Sequence, residues 1–139
     1  MKFKYLDNIA TADIAILAEG KNLEGAFVSA AFGMFSIITD VKKVYPLREK
    51  RVKISSEDIK SLLYDWLECL LVYWDTEGLV FSKYHLKMSK NDKYVIEGRV
   101  YGDKPQKDLI ERNLKAVTYH MMDIYKKNGK HFVRVVFDL

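Results

Sequence analysis

Ile59, Leu62, Leu63, Trp66, Leu67, Leu70, Leu71 and Trp74 recur at intervals of three and four residues. Only an α-helix gathers residues so spaced onto one face. The stripe is wide, so the helix must be covered along most of its length by other elements. Ser55-Ser56-Glu57-Asp58 supplies an N-cap and early acids, and Gly78 supplies a stop. A second helix is expected from about Asn22 to Thr39, with Leu23, Ala26, Phe27, Ala30, Ala31, Met34 and Ile38 turned inward. Gly25 in its first turns costs about 1 kcal/mol relative to alanine.

The remainder reads as strands. Asp13 to Ala18 precedes the first helix and Arg51 to Ile54 precedes the second. Leu79 to Met88 and Tyr94 to Gly102 flank Ser89-Lys90-Asn91-Asp92-Lys93, a stretch with hairpin chemistry. Ala116 to Tyr125 and His131 to Asp138 are joined through Asn128-Gly129, a strong turn signal. Asp103 to Asn113 is polar and is expected to be a surface loop with at most one short helix. Helices interrupting antiparallel hairpins imply an α+β layer fold. The expectation is one antiparallel sheet of six to seven strands with two long helices on one face, forming a single domain over residues 1–139.

A chain of 139 residues is one domain by the usual prior and long enough to bury a real core. The hydrophobic fraction of 49% and charged fraction of 30% are those of an ordinary globular protein. No apolar run approaches the roughly 18 residues of a membrane span. Met1-Lys2-Phe3-Lys4-Tyr5 lacks the apolar stretch of a signal peptide. The single cysteine, Cys69, excludes an internal disulfide and argues for a reducing, cytoplasmic setting.

The net charge of +4 is mild, but it is unevenly spread. Lys42, Lys43, Arg48, Lys50, Arg51 and Lys53 lie in one segment with Glu49 as its only acid, and Lys126, Lys127, Lys130 and Arg134 form a second basic group. The stretch from Glu57 to Glu77 carries the opposite sign. A basic and an acidic side favour oriented docking; solvated faces without a partner are the plainer reading.

Familiar enzyme signatures are missing. Gly20-Lys21 lacks the flanking residues of a phosphate-binding loop, and neither a dinucleotide fingerprint nor a His-Glu-x-x-His pair is present. The scattered His85, His120 and His131 make no zinc spacing with one cysteine. Cys69, Trp66 and Trp74 fall in or beside the helical stripe and read as packing residues.

The two ends of the chain stand out instead. Asp138 and the terminal carboxylate of Leu139 are one residue apart, and anionic groups that close repel unless a positive charge lies between them. Hard cations such as Ca²⁺ and Mg²⁺ take oxygen ligands of this kind. Asp13 starts one expected strand and Asp138 finishes another, so as antiparallel neighbours the two strands would bring both acids to the same end of the sheet. The residues alone also allow that Asp13 ends a loop and that Asp138-Leu139 is a frayed, solvated terminus.

Thr11-Ala12-Asp13, Lys115-Ala116-Val117-Thr118-Tyr119-His120 and Arg134-Val135-Val136-Phe137-Asp138-Leu139 occur in that order, with Gly20-Lys21-Asn22-Leu23-Glu24 and Thr39-Asp40 bracketing the first helix. Leu63-Tyr64-Asp65-Trp66-Leu67 and Glu77-Gly78-Leu79-Val80-Phe81 lie between them. Over essentially its whole length the chain resembles the archease family. The resemblance implies a small, cytoplasmic, monomeric protein cofactor, itself not an enzyme, for the GTP-dependent RNA ligase RtcB. That ligase rejoins tRNA halves, and its cofactor promotes guanylylation of the ligase's histidine and multiple turnover. Contact with tRNA is then indirect, through the ligase. The resemblance further implies a divalent cation, Ca²⁺ first with Mg²⁺ or Mn²⁺ as alternatives, held by Asp13, Asp138 and Leu139. Asp40, Lys115, Thr118 and His120 match the family's functional patch without an assigned role. One departure is Ala10, where the family commonly carries histidine; Asp7 and Asn8 nearby offer no evident replacement.

Two other functions compete. One is a stand-alone RNA-binding module using the basic segments 42–53 and 126–134. The other is a metal-dependent hydrolase working through Asp13, Asp40 and Asp138, disfavoured because two-metal chemistry usually recruits histidines or further acids.

Overall fold

The computed structural model of the chain describes residues 1–6 and 12–139. Its elements are strands β1 (Lys2–Leu6) and β2 (Asp13–Gly20), helix α1 (Leu23–Ile38), strand β3 (Arg48–Ser56) and helix α2 (Ile59–Glu77). Strands β4 (Val80–Lys90), β5 (Tyr94–Asp103), β6 (Ala116–Lys127) and β7 (Lys130–Asp138) follow. No helix among the described residues is long and apolar enough to cross a membrane.

The fold is α+β and antiparallel throughout, as the hairpin signals imply, but the seven strands divide between two sheets. One has the order β1-β2-β7-β6 and the other β3-β5-β4. Helix α1 packs on β1, β2 and β7 of the first sheet and on β4 of the second; α2 packs on β6 of the first and on β3, β4 and β5 of the second. The helices therefore touch both sheets instead of lying on one face of a single sheet. This placement explains why α1 is buried beyond the expected stripe. Ser29, Gly33, Phe35 and Ile37 are covered along with Ala26, Phe27, Ala30, Ala31, Met34 and Ile38.

Side-chain caps fix both helix starts. Asn22 accepts from the Gly25 amide at 2.7 Å, and Asp58 from the Ser61 amide at 2.8 Å. Helix α2 ends on Gly78 at φ 68°, a left-handed residue that closes the helix at little cost only without a side chain. Trp66 is fully buried and donates its indole N–H to the Phe27 carbonyl at 3.0 Å, tying α2 to α1. Trp74 is half-buried, its indole pointing to Asn113 Oδ1 at 3.3 Å, so it rims the core instead of filling it.

The strands run further than the apolar patterns do. Strand β3 extends three residues ahead of Arg51 and two beyond Ile54, because the whole of β5 is available to pair with it. Strand β1 has no counterpart in the expected elements. Lys2-Phe3-Lys4-Tyr5 is short and charged, yet β2 offers a free edge, and Phe3 packs against Phe32 of α1. The loop from Asp103 to Asn113 holds one short 3-10 turn, Lys107–Leu109, and Ile110 bridges to Thr39.

Candidate functional site: an acidic pair where two strands meet

Central strand β7 has β2 on one side and β6 on the other. Its register sets Asp138 directly opposite Asp13 on β2 and opposite Ala116 on β6. Direct cross-strand partners carry Cβ atoms about 4.5–5.5 Å apart on the same face, so the two carboxyls stand side by side. The backbone holds this end from both flanks. The Leu139 amide donates to the Ala12 carbonyl at 2.8 Å, and the Lys115 amide donates to the Asp138 carbonyl at 2.9 Å. Leu139 also packs against the core and is half-buried. The terminus is thereby anchored beside the start of β2.

Two acids in this relation disfavour simultaneous ionisation. Partial burial, then a hydrogen bond with Asp138 and its like charge, push the Asp13 carboxyl above the ordinary carboxylate range. The charge of His120 pulls in the opposite direction, which places the imidazole within electrostatic reach of Asp13. Such an oxygen-only donor set fits a hard divalent cation, whose charge would remove the repulsion.

His120 is presented by an irregularity in β6. Thr118 pairs with Val136 and Asp123 with Arg134, so four residues of β6 stand opposite Val135 alone. The Thr118 hydroxyl donates to the Val136 carbonyl at 2.8 Å and accepts from the His120 amide at 3.3 Å, closing the start of the bulge. Met121 adopts a positive φ of 54°, and its carbonyl accepts from Arg134 Nε at 2.8 Å. Tyr119 lies flat on Tyr64 of α2, with ring centroids 4.3 Å apart and planes at 7°. The bulge is thus supported at three points and leaves Tyr119, His120 and Met121 exposed. No sequence signal marks it: Tyr64, Arg134 and Met121 acquire their roles only through the register slip.

Asp40 lies elsewhere. It caps the 3-10 turn Val41–Lys43 by accepting from the Lys42 amide at 3.2 Å. Among the described residues no three His, Cys, Asp or Glu side chains gather in a metal-holding group, so Asp40 does not join Asp13 and Asp138. The Lys115 side chain is exposed, and its positioning contact is made by its backbone. Thr11 and the departure at Ala10, with Asp7 and Asn8, lie outside the described residues.

A small two-sheet α+β domain, with opposed carboxylates and an anchored chain end at one edge, defines the structural class. The chain belongs to the Archease protein family (MTH1598/TM1083), whose model matches residues 3–139. It is 39% identical over 140 residues to the archease of Sulfurisphaera tokodaii, covering 99% of each chain. It is 42% identical over 139 residues to that of Methanothermobacter thermautotrophicus, covering 99% of this chain and 98% of the relative. Among solved structures, the solution structure of Methanobacterium thermoautotrophicum protein 1598 matches at 42% identity with a TM-score of 0.85, covering 99% and 98% of the two chains. The crystal structure of a Thermotoga maritima protein described as an archease, possible chaperone, matches at 19% identity and a TM-score of 0.64 over 94% and 93% of the two chains. That last likeness concerns the fold alone.

Proposed function

We propose that this chain is a non-enzymatic protein cofactor of an RtcB-type, GTP-dependent RNA ligase, and that the Asp13–Asp138–Leu139 tip is its working part. The observation that carries the reading is the register pairing of Asp13 with Asp138, joined to the anchoring of Leu139 on Ala12. Membership of the archease family supports the reading; the class of partner is what the resemblance in the sequence implies. The reading gives the chain no catalysis of its own, a cytoplasmic setting and a monomeric state, with the ligase, not this chain, engaging the tRNA ends to be joined.

The two aspartates and the terminal carboxylate would hold one divalent cation, calcium in the first instance. When bound, such a cation supplies positive charge that phosphate oxygens of GTP can share. Asp13 and Asp138, paired at the end of the sheet, would hold that charge there. The bulge of β6 keeps an exposed imidazole, His120, within electrostatic reach of Asp13. Thr118 positions this imidazole through the bulge hydrogen bonds. Lys115 places a flexible cation at the same edge, where an approaching phosphate would meet it.

The test is ligation of cleaved tRNA halves by the matching ligase at substoichiometric concentration, with and without this chain. Stimulation of turnover, together with ligase guanylylation, supports the reading. Unchanged turnover overturns it. Asp13→Asn, or a short extension beyond Leu139, is expected to abolish the stimulation while the circular dichroism spectrum is kept.

A further inference from the structure

The second sheet has an outer face that neither helix covers. Along β5 the residues Ile96 and Val100 are buried against the helices, so Glu97, Arg99 and Tyr101 point the other way. Register then stacks this outer face into rows. Arg51 of β3 lies directly opposite Arg99 of β5, and Arg99 directly opposite His85 of β4. Like charges directly opposed in a sheet are destabilising, and this row contains no acid. Among the described residues the carboxylate in ion-pair range of Arg99 is that of Glu49, at 3.7 Å from one guanidinium nitrogen, between groups that are each about half exposed (53% and 40%); Glu97 lies one row away. Such a pair in water neutralises little. The next row holds Lys53, Glu97 and Lys87, again with cations in excess.

These residues wall a hollow of about 860 Å³. Tyr101 forms one side, with Lys83 above its ring at 5.5 Å and His85 edge-on to it at 5.9 Å. His85 and Leu86 also wall a second hollow, of about 570 Å³, which carries Lys2, Lys21 and Lys130 together with Glu19 and Glu24, Lys2 and Lys130 being paired with Glu19. The two hollows meet at the edge strand β4, where Lys21 and the Glu19-paired Lys130 border the face.

We propose that this face docks the phosphate backbone of RNA. Paired guanidiniums present planar, bidentate donors that match phosphate oxygens, and an anion seated between Arg51 and Arg99 relieves their repulsion. Two adjacent rows that carry Arg51, Arg99, Lys53 and Lys87 suit a repeating polyanion better than a single anion. Tyr101 adds an aromatic surface on which a base can stack. This surface is separate from the carboxylate tip and shares only Arg51, Lys53 and Lys130 with the basic segments picked out along the sequence.

The experiment measures fluorescence anisotropy of a labelled 20-nucleotide single-stranded RNA with the full chain, in EDTA and without ligase. Its outcome is therefore independent of the proposed tip function. Binding is expected to weaken with salt, with log K falling against log salt at a slope of roughly −2 to −3, as for three or four phosphates at about 0.7 each. Arg51→Gln/Arg99→Gln should weaken binding at least tenfold and flatten the slope by roughly 1.4. Arg51→Lys/Arg99→Lys, which keeps the charge, should restore the slope and part of the affinity. No binding at 50 mM salt by the wild-type chain overturns the proposal. Equal affinity in the glutamine variant also overturns it, as does equal displacement of the RNA by polyglutamate, which would mark the face as one for acidic proteins. Near-UV circular dichroism of each variant separates loss of the surface from loss of the fold.

Discussion

Asp13 and Asp138 are direct register partners on β2 and β7, two acids facing each other where the Leu139 amide is hydrogen-bonded to the Ala12 carbonyl. A sheet tolerates this pairing poorly. The raised position of the Asp13 carboxyl, caused by partial burial and by its neighbour, expresses that cost. A divalent cation is the simplest relief, and its consequences can be measured.

Calcium is expected to stabilise the chain. At a free concentration one hundred times its dissociation constant, a ligand of the folded state contributes about 2.7 kcal/mol. For a domain of this size that is a rise in melting temperature on the order of 10 °C. Asp13→Asn or Asp138→Asn should remove the rise, and titration calorimetry should then detect no uptake. A wild-type chain whose melting curve is the same in calcium and in EDTA would exclude the tip as a metal site. Magnesium and manganese are compared in the same assay.

The pH dependence of the metal-free chain follows from the same pair. The folded-state pKa of Asp13 lies above its unfolded value, so the folded state holds this proton more tightly. Its contribution to stability is full below the unfolded pKa and is lost as pH rises through the folded one. Protons and cation also compete for the carboxylates, so calcium affinity should fall on acidification through that range. Urea unfolding of wild type and Asp13→Asn across acidic pH checks the first point. The asparagine variant should lack this loss on raising the pH.

Glu19 should behave in the opposite sense. Partial desolvation raises its pKa, but Lys2 at 3.3 Å and Lys130 at 3.4 Å outweigh it, and the net position is below the ordinary value. Its stabilising contribution is present above the unfolded pKa and is lost as pH falls through the folded one. Glu19→Gln should flatten the acid limb of the stability profile, and high salt should do the same in the wild type.

The bulge of β6 is expected to matter for activity more than for metal binding. Tyr119→Ala removes the stack on Tyr64, a contact of about 0.5–1.5 kcal/mol, and frees His120. Ligase stimulation should drop severalfold, while calcium affinity measured by calorimetry changes less than threefold. Equal stimulation by the variant would show that the placement of His120 is irrelevant.

Trp66 joins the helices through a buried hydrogen bond to the Phe27 carbonyl. Trp66→Phe keeps an aromatic ring but loses this bond; the Phe27 carbonyl still accepts the Ala31 amide within α1, so the cost is that of one net hydrogen bond, about 0.5–1.5 kcal/mol. The denaturant midpoint should fall with an unchanged slope, and the tip's calcium affinity should remain.

The local grammar of the chain is written in the sequence. The stripe from Ile59 to Trp74, the Asn22 and Asp58 caps, the Gly78 stop and the Asn128-Gly129 turn each depend on neighbours within a few residues. Periodicity and turn chemistry therefore locate both helices and six of the seven strands. Strand β1 escaped because Lys2-Phe3-Lys4-Tyr5 becomes a strand only by adding to the free edge of β2. Division into two sheets likewise depends on which edges meet, a long-range pairing that no local pattern encodes. The acidic residues of the tip were legible as residue types, but their meeting was settled by the β2–β7 register. The support of His120 by Tyr64 and Arg134 comes from a slip in the β6–β7 pairing, and the opposition of Arg51 to Arg99 from the β3–β5 ladder. Residues distant along the chain become neighbours through backbone hydrogen bonding, so their shared chemistry belongs to the tertiary structure alone.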